Sequence, residues 1–307
     1  MAFTAADVKN LRELTGVGMM DCKKALVETD GDMDKAVEWL REKGLAAAQK
    51  KAGRIAAEGM AYAAVLNGVG VIVEVNAETD FVAKNEMFTD YVKGVAGVIS
   101  EQDPADVETL MSCKYPESEF TVEQIQQEKI LVIGENIKVR RFARYTGGLS
   151  VPYIHMGGRI GVIVNMEASD DIREKPEVTE LGRDLAMQIA ALNPIFLDKS
   201  VISQEFIENE KKIRLVQAKE DPKNADKPEA IIEKIVLGGL SKYYKEICLM
   251  QQPYVKDDKI SVEQHVAAVA KQLGGTISVK AFTRFERGEG IEKKQENFAD
   301  EIASMLK

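Results

Sequence analysis

Apolar residues recur at helical spacing through the first forty positions, then switch near residue 60 to the two-residue alternation of strands. Val8, Leu11, Arg12 and Leu14 predict a first helix ending at Thr15-Gly16. Met19, Met20, Cys22, Lys23, Ala25 and Leu26 predict a second. Asp30-Gly31-Asp32 reads as a turn, and Ala36, Val37, Trp39 and Leu40 predict a third helix stopped by Gly44. Three helices in so short a stretch make a miniature bundle that can only just bury a core, and such a module usually binds something. Between Leu45 and Arg54, the residues Lys50, Lys51 and Arg54 form a basic connector, read as a solvated linker.

Two strand-like runs follow, Met60 to Leu66 and Val69 to Val75. They flank Asn67-Gly68, the strongest short hairpin signal in the chain. Helical spacing returns near Met87–Ile99, Pro104–Cys113 and Val122–Ile133, and Ile137 to Tyr145 alternates as a strand does. The pattern then repeats. Tyr62, Gly70, Val71, Ile72 and Val73 recur 91 residues later as Tyr153, Gly161, Val162, Ile163 and Val164. Val122-Glu123-Gln124, Gly134, Ile137, Val139, Phe142 and Arg144 recur 140 residues later as Val262-Glu263-Gln264, Gly274, Ile277, Val279, Phe282 and Arg284. Such internal similarity predicts a duplicated β-β-α…α-β unit with antiparallel sheets.

The larger second offset places an insertion between Asp171 and Ser261. Its sequence predicts a projecting helical hairpin at about 203–245. Phe206, Ile213 and Val216 line one arm, and Ile232, Ile235, Leu240 and Tyr243 line the other. A breaker from Asp221 to Pro228 separates them. After Gly288-Glu289-Gly290 the chain ends in an amphipathic pattern, Phe298, Ile302, Met305 and Leu306, read as a detachable helical tail. The expected class is α+β, divided into a helical module with its basic linker (1–54), two core subdomains (55–147 and 148–286) and a C-terminal module (287–307).

Thr79-Asp80-Phe81-Val82-Ala83-Lys84-Asn85 joins a buried strand to a helix. Thr79 or Asp80 suits a helix start, where side-chain oxygens accept from unpaired backbone N–H groups. Phe81 is the anomaly, a large apolar ring on a turn. Local physics reads it as a packing staple. The repeat argues otherwise, because Asp170-Asp171, in the place of Asp80, is followed by Ile172 and no aromatic.

Composition narrows the function. A chain of 307 residues, 45% hydrophobic, is folded and predicts roughly two to three domains. Fifty acidic residues against 41 basic ones give a net charge of −9, which argues against nucleic acid as the main partner. Three scattered cysteines (Cys22, Cys113, Cys248) and only two histidines make a zinc site improbable and suit a reducing cytoplasm. No apolar run reaches membrane-spanning length, so a cytoplasmic protein is expected. No Walker loop or nucleophile elbow is present; Gly157, Gly158 and Gly161 align with the first hairpin and read as a turn. His155 is a candidate general base near that turn, but no paired nucleophile or carboxylate accompanies it in sequence. Nothing makes a positive case for an enzyme, and no cofactor or metal is expected.

Thr79-Asp80-Phe81-Val82 with Lys84-Asn85 resembles the signature of the elongation factor Ts family, the guanine-nucleotide exchange factors of elongation factor Tu. The resemblance extends along the chain. Leu11-Arg12, Thr15-Gly16, Met19 to Leu26 and Gly31-Asp32 look like that family's ubiquitin-associated-like module. Ile133-Gly134-Glu135-Asn136-Ile137 with Arg140-Arg141 looks like its second signature. Tyr153, His155, Gly157, Arg159 to Val162, Gln252-Pro253 with Val255, and Phe285-Glu286 with Gly288 to Lys293 also resemble it. The resemblance implies that Asp80 and Phe81, held by Thr79 and followed by Val82, enter the nucleotide domain of Tu and dislocate its Mg²⁺ site. It implies that Ile133 and Gly134 contact the same domain, that Lys23 and the tail touch another face of it, and that His155 with the second core half meets a separate domain. A homodimer through the hairpin or a sheet edge is compatible with the sequence; no membrane or direct nucleic-acid contact is expected.

Overall fold

A computed structural model describes residues 3–224 and 227–292. Helix α1 (Ala5–Thr15) starts where Thr4 and Asp7 cap each other and ends at Gly16 in the left-handed conformation. With α2 (Met19–Glu28) and α3 (Met33–Lys51) it closes a small core of Val8, Leu11, Cys22, Leu26 and Leu40. Here the structure corrects the sequence. Gly44 does not stop the third helix, which runs on to Lys51 and absorbs most of the expected solvated linker. A Cβ on Gly44 would stand 3.3 Å from the Gln127 carbonyl oxygen, so the glycine lets α3 lie close on α7 (Val122–Ile133). Lys51 closes the contact by donating to the Ile130 carbonyl at 3.3 Å. Gly44→Leu should force these helices apart and lower the unfolding free energy by about 2 kcal/mol in urea titration. An unchanged midpoint would mean that the close approach carries no weight.

The first half continues with β1 (Glu58–Leu66) and β2 (Val69–Ala77), joined at Asn67 (φ 51°) and Gly68 (φ 78°). Positive φ at both positions is what a type I′ two-residue hairpin turn requires. Then come α4 (Asp80–Ala83), α5 (Glu86–Gln102), α6 (Val107–Ser112), α7 and β3 (Lys138–Tyr145). The second half runs through β4 (Leu149–His155), β5 (Ile160–Ala168), α8 (Pro176–Leu192), α9 (Gln204–Glu220), α10 (Glu229–Ile247), β6 (Pro253–Tyr254), β7 (Asp257–Ser261), α11 (Val262–Leu273) and β8 (Ile277–Glu286).

Among the described residues two three-stranded antiparallel sheets form, in the orders β1-β2-β3 and β4-β5-β8. The duplication reaches fine detail. β-bulges fall between Glu74 and Val75 and between Asn165 and Met166, at the 91-residue offset. Capping boxes Thr121–Gln124 and Ser261–Gln264 open α7 and α11, and Gly134 and Gly274 end them, at the 140-residue offset. β2 is a nearly continuous apolar run because both its faces are covered. Val71, Val73 and Val75 pack under α5 and α7, while Ile72 meets Ile163, Ala61 and Phe285 between the two sheets. Gly161 keeps those sheets close, since a Cβ there would lie 3.0 Å from the Ala61 carbonyl oxygen.

The inserted hairpin is α9 and α10, and its contacts shift the expected stripe. Leu215 and Ala218 face Ile232 and Val236, whereas Ile213, Val216 and Ile235 are exposed. A small antiparallel ribbon of β6 and β7 adds to the expected elements. Gly288 and Glu289, read as the opening of a separate module, are clasped onto the first half. The buried carboxylate of Glu74 accepts from Gly288 N (2.7 Å), Asn76 Nδ2 (3.0 Å) and Arg140 (3.0 Å), and also pairs with Arg141. The amphipathic run Phe298, Ile302, Met305 and Leu306 lies outside the described residues. No described helix is long and apolar enough to cross a membrane.

Candidate partner-binding site

The turn that leaves β2 is short because it is capped at once. Val82 N–H donates to the Thr79 hydroxyl oxygen at 3.4 Å, so Thr79 starts the single turn of α4, and Asn85 Oδ1 starts α5 by accepting from Met87 N at 2.9 Å. Between these caps the side chains part. Val82 is 8% exposed and belongs to the core under α5, while the Phe81 ring is 80% exposed. Phe81 is therefore not the staple of this turn; Val82 is. Beside the ring, Asp80 pairs with Lys84 at 3.2 Å on the solvent side.

The turn is braced from α7. Glu135 follows the helix end at Gly134, and its carboxylate accepts from Glu78 N (3.1 Å), Thr79 N (3.0 Å) and the Thr79 hydroxyl (2.7 Å). Glu78 answers by accepting from Asn136 N at 2.6 Å and pairing with Arg54 at 3.4 Å. Ile133 is half-buried at the end of α7, and Gly134 is exposed in the left-handed conformation with open space around it. The structure thus brings Thr79 to Val82 and Ile133-Gly134 to one corner, joined through Glu135. Sequence reading gave Glu135 no role, because its partners lie more than fifty residues away and leave no local pattern.

The other candidates stand on separate elements. Lys23 is exposed on α2. His155 ends β4, where its Nδ1 and the Tyr153 hydroxyl share a hydrogen bond at 2.9 Å. A cavity of about 480 Å³ opens elsewhere, between the helical module and α7, lined by Leu14, Leu40, Arg41, Phe120 and Leu131. Asp170 and Asp171 are the exposed central residues of a turn closed by Ile172 N–H donating to the Ser169 carbonyl at 3.0 Å, not the start of a helix, and Ile172 is fully buried. Among the described residues no three His, Cys, Asp or Glu side chains cluster as metal ligands would.

A braced corner that shows an aromatic ring to solvent is the candidate site. Residues 78–289 match the family model described as Elongation factor TS. Elongation factor Ts of Clostridium botulinum (strain Eklund 17B / Type B) is 50% identical over 307 residues, covering 99% of both chains. That of Clostridium perfringens (strain SM101 / Type A) is 50% identical over 98% of each chain, and that of Trichlorobacter lovleyi 48% identical over 99% of this chain and 98% of the relative. The chain belongs to the elongation factor Ts family, and so to the translation elongation factors of protein biosynthesis.

Proposed function

We propose that this chain binds elongation factor Tu, in its GDP-bound and nucleotide-free forms, and promotes release of GDP. The observation that carries the reading is Phe81, a large apolar ring left outside on a turn whose other apolar residues, Val82 and Ala83, are buried. An aromatic anchor presented this way is the usual form of an interface hot spot. Asp80 and Phe81 enter the nucleotide domain of Tu and displace the groups that hold Mg²⁺, with Thr79 and Val82 fixing the turn from below. Ile133 and Gly134, at the same corner, rest on that domain. Lys23 and the residues beyond 287 engage another face of it, and His155 with the second core half engages a separate domain. In this division 1–54, 55–147, 148–286 and 287–307 act as four gripping units, in the cytoplasm and without membrane or nucleic acid.

The physics needs no bond chemistry. GDP is held by backbone N–H groups around its phosphates and by Mg²⁺ neutralising their charge. A partner that binds best when this site is distorted must weaken GDP by the same coupling free energy with which GDP weakens the partner. The test is that reciprocity. Titrations should show tighter binding to nucleotide-free Tu than to Tu·GDP, by the factor by which this chain weakens GDP. Equal affinity for the two forms would overturn the proposal.

A further inference from the structure

We infer that Glu135 is a positioning residue for nucleotide exchange, holding the 78–82 turn in the pose from which Phe81 reaches its partner. The inference rests on the reading of Phe81 as the inserted side chain. One carboxylate accepts from two consecutive peptide N–H groups and from the hydroxyl that caps α4, so three bonds converge on the two residues before Asp80. Asn136 turns the clamp into a double bracket: its N–H donates to Glu78, and its Nδ2 donates to the Arg54 carbonyl at 2.8 Å.

The duplicated half serves as an internal control. There Ser169 N donates to the Thr276 carbonyl at 2.9 Å, and Thr276 N donates to Ser169 Oγ at 3.0 Å, closing the same junction without a carboxylate. The position equivalent to Glu135 is Gly275, where an added Cβ would stand 2.4 Å from Ser169 Oγ. This topology therefore closes its junction with neutral groups. The carboxylate clamp is found in the half whose turn shows an aromatic ring to solvent, and is missing from the half whose turn buries Ile172. A ring fixed before contact need not be ordered during it, and pre-organisation of this kind strengthens association.

Glu135→Met keeps the side-chain length but removes both acceptor oxygens, leaving the Glu78 and Thr79 donors without their partner. Exchange at subsaturating concentrations of this chain should fall about tenfold, with the Glu78 and Thr79 amides losing hydrogen-exchange protection and the thermal transition moving little. In a Phe81→Ala background the same substitution should cost nothing further, because Glu135 acts through the ring. A merely structural role would slow exchange in both backgrounds and would overturn the inference. So would full exchange by Glu135→Met while Phe81→Ala is impaired. If Phe81→Ala itself exchanges normally, it is the wedge reading that fails. Should Glu135→Met not fold, Thr79→Val removes one of the clamp's donors, and the same cycle is read with it.

Discussion

Replacing Phe81 by alanine should slow GDP release from Tu about a hundredfold, since truncating a hot-spot aromatic costs roughly 2–4 kcal/mol and each 1.36 kcal/mol is tenfold. The fold should hardly notice. The ring is 80% exposed, and surface substitutions usually stay within about 0.5 kcal/mol. Val82→Ala marks the contrast: it removes a core side chain from the same turn and should lower stability by about 1–2 kcal/mol. Stopped-flow release of a fluorescent GDP analogue, beside calorimetry of each variant alone, separates the two effects. A Phe81→Ala variant that loses stability yet exchanges normally would restore the ring to a packing role.

The largest effect on stability should come from Glu74→Ala, about 3–5 kcal/mol, because removing one partner of a buried ion pair strands the others. Glu74 is fully buried and anchors Arg140, Arg141 and the amide of Gly288. Strand β3 and the chain after β8 both hang on it: Arg140 also donates to the Glu289 carbonyl at 2.6 Å, and Arg141 to Glu289 Oε2 at 3.1 Å. Urea unfolding followed by circular dichroism measures the loss, and trypsin should cut faster after Arg287. A loss below about 1 kcal/mol would mean that the arginines find equal partners in water.

The sequence made the fold readable wherever the signal was local. Asn67-Gly68 set the first hairpin, and the two offsets of repetition placed both sheets and both capped helices, because turn chemistry and capping are written within a few residues. It misled at Gly44, a residue that ends helices when exposed but here lies within one, pressed against the backbone of α7. The stripe on α9 shifted for a similar reason. Ile213 and Val216 fit helical spacing as well as Leu215 does, and the partner helix decides which face is covered. Phe81 was visible as an anomaly on a turn, and its exposure sets it apart from the buried Ile172 at the equivalent position of the other half. Glu135 and Glu74 were not readable as braces. Each looks like an ordinary polar position, and most of the groups that give it meaning lie more than fifty residues away.

The central claim is that this chain opens the nucleotide site of Tu by binding alone. The most direct test loads Tu with a fluorescent GDP analogue and follows its release with excess unlabelled GDP, with and without this chain. Release should accelerate by orders of magnitude with the chain recovered unchanged, and Phe81→Ala should lose most of that acceleration. An unaltered release rate in the presence of the wild-type chain would contradict the account.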